Sequence, residues 1–382
     1  MYCFALPRLR VNFYSSISRL KTTFAEAFIW FTSNLPRLQF QNSAANLISM
    51  RFNLLCFIVA CVFLRSPALL SAGGASAAQL VKDYRDGLVF VEGKTGQGSG
   101  FIVNYKGQKY LFTNAHVMAG VRIPRFQLLD RSPVRVGAAV AAVAHDIVAL
   151  GVLEGGTAIP CVETLDKEVS IGDPVVVLGN AEGAGVVNLL EGVIVGVGPN
   201  LVEVDAPFVP GNSGSPIIHL RSGKVIGIAT YMTIRRSGDR TERVRRFGYR
   251  LDSVQQWQPV DWNRFYAEAD AMEKIEKTTA EFGMLLEDFN KNGKPTRSYN
   301  SPAIRNAVDA FASTIRAASG KSDAEQGVDR LLSSLRSASG RDVREAKVSV
   351  GYDFFRRQLE NELRDREEIT KIFDQAIKRQ KR

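Results

Sequence analysis

From Leu88 to about Leu251 the chain runs in short β-branched and aliphatic stretches, each interrupted by Gly, Pro, Asn or Asp. Leu88–Val91, Gly100–Val103, Pro174–Leu178, Glu191–Val195 and Lys224–Ile228 have the length and spacing of strands in a sandwich or barrel. No long amphipathic helix separates them, which excludes a βαβ arrangement and predicts an all-β domain. After Trp257 the period changes. Trp262, Phe265, Tyr266, Ala269, Met272 and Ile275, then Phe282, Leu285, Leu286 and Phe289, recur three and four apart and describe one helical face. Ser301-Pro302 starts a second helix with Ile304, Val308, Phe311 and Ile315 along one side. Ser322 with Glu325 reads as a capping box before Val328, Leu331, Leu332 and Leu335, and a last helix spans about Tyr352 to Lys378. The chain therefore divides into a β domain, 79–256, and a helical domain, 257–382.

The N-terminal part fits neither pattern. From Met50 a short positive start, an apolar run Leu54–Leu64 and the small residues Ala75-Ser76-Ala77-Ala78 reproduce the layout of a secretory signal peptide, so 50–78 is expected to direct export and to be cleaved near Ala77/Ala78. Its apolar run is too short for a bilayer span of about 20 residues, which makes a retained anchor the weaker reading; lipidation at Cys61 is weaker still. Residues 1–49 stand before a complete export signal. They read as an over-extended start or leader without a fold, and their basic, acid-poor composition leaves an organelle transit peptide as the alternative.

Composition and charge alter this picture little. The 382 residues are 45% hydrophobic and 23% charged, enough for a real core and unlike a disordered chain. The net charge is +10, but residues 1–78 hold seven basic side chains against Glu26 alone. The mature chain gives no reason to expect a nucleic-acid partner. Its basic residues concentrate in Arg235–Arg250, which reads as a solvated hairpin loop or as a weak contact for an anionic surface. Removing the leader takes Cys3, Cys56 and Cys61 with it and leaves Cys161, so no intramolecular disulfide is expected.

Histidine is scarce, and its neighbours are informative. His116 stands in Thr113-Asn114-Ala115-His116-Val117 just after an apolar run. Asp146 opens another in His145-Asp146-Ile147-Val148-Ala149-Leu150, and Ser213 lies in Gly211-Asn212-Ser213-Gly214-Ser215-Pro216. A serine hydroxyl is a poor nucleophile at neutral pH. It needs a neutral imidazole to take its proton and a carboxylate to hold that imidazole in the correct tautomer. The order His, Asp, Ser suits that chemistry. An α/β-hydrolase elbow is excluded, since Ser215 replaces its downstream Gly and both partners precede the serine. His145 and His219 read as structural or exposed.

With Gly98–Val103, Ile171–Asn180 and Glu191–Gly198 falling in the same order as these motifs, the segment from about Leu88 to Val254 resembles the chymotrypsin-like serine proteases, and within them the HtrA (Deg) type. The resemblance implies an all-β double barrel followed here by an all-α C-terminal domain, with polypeptide substrates and no metal or other cofactor. It implies His116 as general base, Asp146 as orienting carboxylate and Ser213 as nucleophile, with the N–H groups of Gly211 and Ser213 as oxyanion donors. It further implies Pro207 at the base of the pocket for the residue before the scissile bond, and Ile228, Ala229 and Thr230 as a strand that pairs with substrate. Without an acid at Pro207, a small or medium apolar residue is expected there. Ser215 and Val209 depart from the family's usual Gly and Asn. The resemblance stops near Trp257, where a PDZ domain would follow; residues 257–382 read instead as a bundle packed on the barrel, or as a surface for a homo-oligomer or a partner. The rival from another class is a non-catalytic or latent binding protein on a protease scaffold.

Overall fold

The computed structural model describes residues 76–180, 185–237, 240–292 and 294–380. The leader, most of the signal-peptide segment and three of the cysteines lie outside the described residues. The expected cleavage point near Ala77/Ala78 falls in the first turn of helix α1 (Ala77–Tyr84), where the Ser76 hydroxyl accepts from Gln79 N–H and Ala77 is buried. Among the described residues no helix is long and apolar enough to cross a membrane.

Strands β1 (Leu88–Glu92), β2 (Gln97–Tyr105) and β3 (Gln108–Thr113) lead into a short helix α2 (Ala115–Val121), then β4 (Arg125–Leu128), β5 (Arg135–Ala142) and β6 (Val148–Glu154). A short helix α3 (Leu165–Glu168) precedes β7 (Pro174–Gly179), β8 (Asn188–Val197), β9 (Leu201–Val204), β10 (Pro216–His219), β11 (Val225–Ser237) and β12 (Arg240–Tyr249). The second group closes into a barrel in the order β10-β11-β12-β9-β8-β7. The first, joined by β13 (Trp257–Pro259), forms a seven-stranded sheet, β13-β5-β6-β3-β2-β1-β4, so of the two expected barrels one is closed and the other is an open sheet. Its outer strand β13 pairs with β5, Trp257 opposite Ala142, which places the start of the expected helical region inside the β sheet.

Strands that read as unbroken apolar runs are buried on both faces. Along β7, Val175 and Val177 enter the barrel interior while Val176 and Leu178 enter a core shared with β2 and β3; β10 divides Ile217 and Ile218 in the same way. On the opposite side, Ile102, Leu111, Val148 and Leu150 pack against helical residues. The period of two thus places one sheet between two cores, which is why the sequence shows so little polar alternation.

Four helices follow: α4 (Trp262–Asn292), α5 (Pro302–Ala317), α6 (Lys321–Ser349) and α7 (Asp353–Gln380). The single stripe on α4 serves two cores. Phe265, Ala269, Met272 and Ile275 pack on the first sheet with Tyr352, Phe355 and Leu359, while Phe282, Leu285, Leu286 and Phe289 pack with α5–α7. Helix α5 starts as expected, with Ser301 at the cap and Pro302 in the first turn. Helix α6 does not: Gly320 is its cap residue and Ser322 lies inside the helix, so the capping-box reading is two residues out of place.

The arginine-rich stretch is a strand pair rather than a loop, because β11 and β12 run through it. Arg245 forms a two-point pair with Glu203 (2.8 and 2.6 Å), and Arg246 donates to Phe208 O (2.9 Å). Arg250 is buried and donates to Asp166, to Asp252 and to Gly198 O, joining α3, the β8–β9 turn and the end of β12. Burial alone would raise the Asp252 carboxyl, but hydrogen bonds from Arg250 and Leu165 N–H outweigh it and hold it below its ordinary value. Arg250→Met leaves that carboxylate buried without its partner and is expected to cost about 3–5 kcal/mol, read from denaturant unfolding. Because the carboxyl is depressed in the folded state, the contribution is complete above the ordinary aspartate range and is lost as pH falls through the lowered value. The variant's deficit should therefore shrink in acid.

Candidate active site

Asn114 is the residue from which the site is assembled. It caps α2 in extended backbone without a side-chain cap bond; its Nδ2 donates instead to Asp146 O (2.7 Å) and to Thr230 Oγ1 (3.1 Å). His116 follows in the first turn of α2. Its N–H donates to Asp146 Oδ1 (3.0 Å), and its ring Nδ1 lies 2.6 Å from Asp146 Oδ2. One carboxylate thus supplies the helix cap that Asn114 does not and also holds the ring. Against a carboxylate Nδ1 carries the proton, so Nε2 is left as the free base. Asp146 is 7% exposed.

Ser213 lies where two turns overlap. Asn212 N–H donates to Val209 O with Pro210 and Gly211 between them, and Ser215 N–H donates to Asn212 O with Ser213 and Gly214 between them (both 3.0 Å). Gly211 has φ +96° and Gly214 φ +87°, the third-position conformation of a type II turn, with Pro210 in the position that Pro favours. The sequence requires glycine at both places, and at Gly214 a Cβ would also overlap Ser99 O. Ser213 O accepts from Ser99 N–H (2.9 Å), and a Cβ at Gly98 would meet both Val117 (2.7 Å) and Ser213 O (3.3 Å). Gly98 on β2 thus approaches both the serine loop and α2 closely.

The Ser213 hydroxyl donates to Thr230 O at 3.5 Å, and no hydrogen bond joins it to His116 among the described residues. Thr230 consequently touches both halves of the site, through Asn114 on one side and Ser213 on the other. The structure brings His116 and Asp146 into direct contact and leaves the Ser213 hydroxyl on Thr230 O, without a hydrogen bond to His116, a looseness common before substrate binds.

The residues expected to meet substrate fall differently. Pro207 is exposed, between the buried Ala206 and Phe208. Ile228 is paired with Pro216, and both backbone groups of Ala229 are taken, its N–H by Ser215 O and its C=O by Gly214 N–H (each 2.9 Å). Neither can receive an added strand from the side of the serine loop.

Two residues that hold the site together, Asn114 and Ser99, carried too weak a signal to be singled out from sequence, and Thr230, singled out for pairing with substrate, also bonds to Asn114 and Ser213. Ser99 Oγ accepts from Asn180 N–H (2.9 Å) and donates to Gly211 O (3.0 Å), which ties β2, the end of β7 and the serine loop at one buried atom. Asn212 Oδ1 accepts from Val209 N–H (3.0 Å) inside the first turn. Ser215 is fully buried against Gly179, whose missing Cβ makes the space for it.

His145 and His219 are buried, with ring contacts to Val143 O and Ser253 for the first and to Ser222 and Asp173 for the second. Burial holds both below the ordinary histidine value, consistent with structural roles. Burial pushes the Cys161 thiol up to about 12, which leaves it unreactive at neutral pH. Among the described residues no cluster of three His, Cys, Asp or Glu side chains is placed to hold a metal ion.

The family model described as a trypsin-like peptidase domain matches residues 98–228. A probable periplasmic serine endoprotease, DegP-like, from Pseudomonas fluorescens is 29% identical over 150 residues, 37% of this chain and 30% of that protein. A protein of the same description from Ectopseudomonas mendocina is 31% identical over the same shares. The solved structure of the serine endoprotease from Yersinia pestis aligns with TM-score 0.34 and 23% identity, over 42% of this chain and 58% of that one. The chain spans about a third of the length of the curated relatives it matches. Residues 98–228 thus match a trypsin-like peptidase domain, and the relatives similar over this region are DegP-like serine endoproteases.

Proposed function

We propose that the protein is an exported serine endopeptidase in which Ser213 attacks the scissile carbonyl, His116 Nε2 takes its proton, and Asp146 holds His116 in the required tautomer. The observation that carries this reading is the two-point grip of Asp146 on the backbone and ring of His116. As the tetrahedral intermediate forms, the N–H groups of Gly211 and Ser213 donate to its oxyanion, each such donor being worth about 3–4 kcal/mol. Protonated His116 gives its proton to the leaving amine, an acyl-enzyme remains on Ser213, and water drawn through His116 hydrolyses it. Export rests on the pattern of residues 50–78.

A latent or non-catalytic scaffold is the second reading, favoured by one observation: the Ser213 hydroxyl is bonded to Thr230 O rather than to His116. The two readings separate on a peptide library with product termini read by mass spectrometry. Cleavage after small or medium apolar residues is expected, since no acid stands at Pro207 to attract Lys or Arg. Cleavage mainly after Lys or Arg contradicts the pocket assignment, and no cleavage at all supports the latent scaffold.

A further inference from the structure

The loop that carries Asp146 is held by the C-terminal helices at a single strained residue. Ala144, two positions before Asp146, has φ +65°, a left-handed conformation that an alanine rarely adopts. Both of its polar groups are taken by α7: its N–H donates to Asp353 Oδ2 and its C=O accepts from Arg357 Nη1, each at 2.7 Å. Asp353 and Arg357 stand one turn apart and pair with each other at 3.0 Å. The start of α7 is itself fixed. Tyr352 is buried, its N–H donates to Glu268 Oε2 (2.8 Å), and its hydroxyl accepts from Asp261 N–H (2.7 Å). A second grip acts on the other partner of the pair. Arg122, just past the end of α2, donates to Tyr266 O (3.2 Å), pairs with Asp270 and lies over the Tyr266 ring of α4.

We propose that Asp353 and Arg357 are positioning residues for catalysis: by clamping both peptide groups of Ala144 they set the Asp146 carboxylate against His116, and the C-terminal helices brace the catalytic pair. The proposal rests on the triad reading above. Around the turn, Val143 N–H is bound to Gln256 O, Ala142 N–H to Ile147 O, and Asp146 O to Asn114. Among the described residues only the clamp engages the polar groups of Ala144 itself. Without it this residue relaxes toward negative φ, the peptide planes on either side rotate, and the carboxylate two residues on moves off the His116 ring.

The test uses the full chain with Arg357→Met, Asp353→Ala and Arg357→Lys, and Lys371→Ala as a control in an exposed pair on the same helix. Two readouts are taken: kcat and KM on a cleaved peptide, and the downfield proton resonance of the 2.6 Å His116–Asp146 bond, assigned by its loss in His116→Ala. The first two variants are expected to lower kcat roughly 10- to 100-fold, with KM changed by less than about twofold and the resonance lost. Arg357→Lys, which keeps a donor for Ala144 O, should recover most of both. Unchanged kcat and an unchanged resonance in folded variants overturn the clamp. Arg357 is half-buried, so Arg357→Met carries the test should Asp353→Ala fail to fold. If the wild type hydrolyses nothing, the triad reading fails separately. The resonance still decides the clamp: retained in the variants it overturns the proposal, and lost only in them it supports it.

Discussion

Ser213→Ala is expected to lower kcat by about a million-fold with little change in KM or stability. In the proposed mechanism the hydroxyl alone forms the bond to substrate carbon, and the His116–Asp146 pair has nothing to activate without it. Its removal costs the fold little. Its one hydrogen bond is the long contact to Thr230 O, while the loop's own turns run through backbone groups of Val209, Asn212 and Ser215 that alanine leaves in place. Hydrolysis of a reporter peptide and thermal unfolding, measured on one preparation, check both halves. Cleavage that persists at an undiminished rate points to another nucleophile or to a contaminating protease.

Asp146→Asn should cost about ten-thousand-fold in kcat. An amide can still accept from His116 N–H through its oxygen, so α2 keeps its start. It then turns an N–H toward Nδ1, which must become an acceptor, and the ring proton moves to Nε2, where the serine proton has to go. Geometry is preserved and the base is lost. The expected signature is a collapse of kcat with a folded protein and an unchanged KM; loss of folding would assign Asp146 to stability instead.

Much of this site is legible in sequence because catalysis constrains short motifs strongly. The type II turns of the serine loop need Gly211 and Gly214. The helical half was equally plain, since the stripe from Trp262 to Phe289 has one period throughout. What the sequence hid are features created by distance. Asp353 meets Ala144 across 209 positions, and an alanine at positive φ leaves no compositional trace. Thr230 gains its role only when Asn114 and Ser213 arrive from separate elements. The bonding of Ala229 to the serine loop is hidden in the same way, because it depends on where β10 ends. Trp257 joined the β sheet for a similar reason. Its ring packs at right angles to Phe112 and Tyr105, and that aromatic contact outweighs the helical texture that follows it.

The central claim is an assembled nucleophile, and labelling of the purified protein with a fluorophosphonate probe, followed by peptide mapping, tests it most directly. Label confined to Ser213 and absent from both Ser213→Ala and His116→Ala is the predicted result. No label on the wild type under any condition, or equal labelling of Ser213 when His116 is gone, would contradict it.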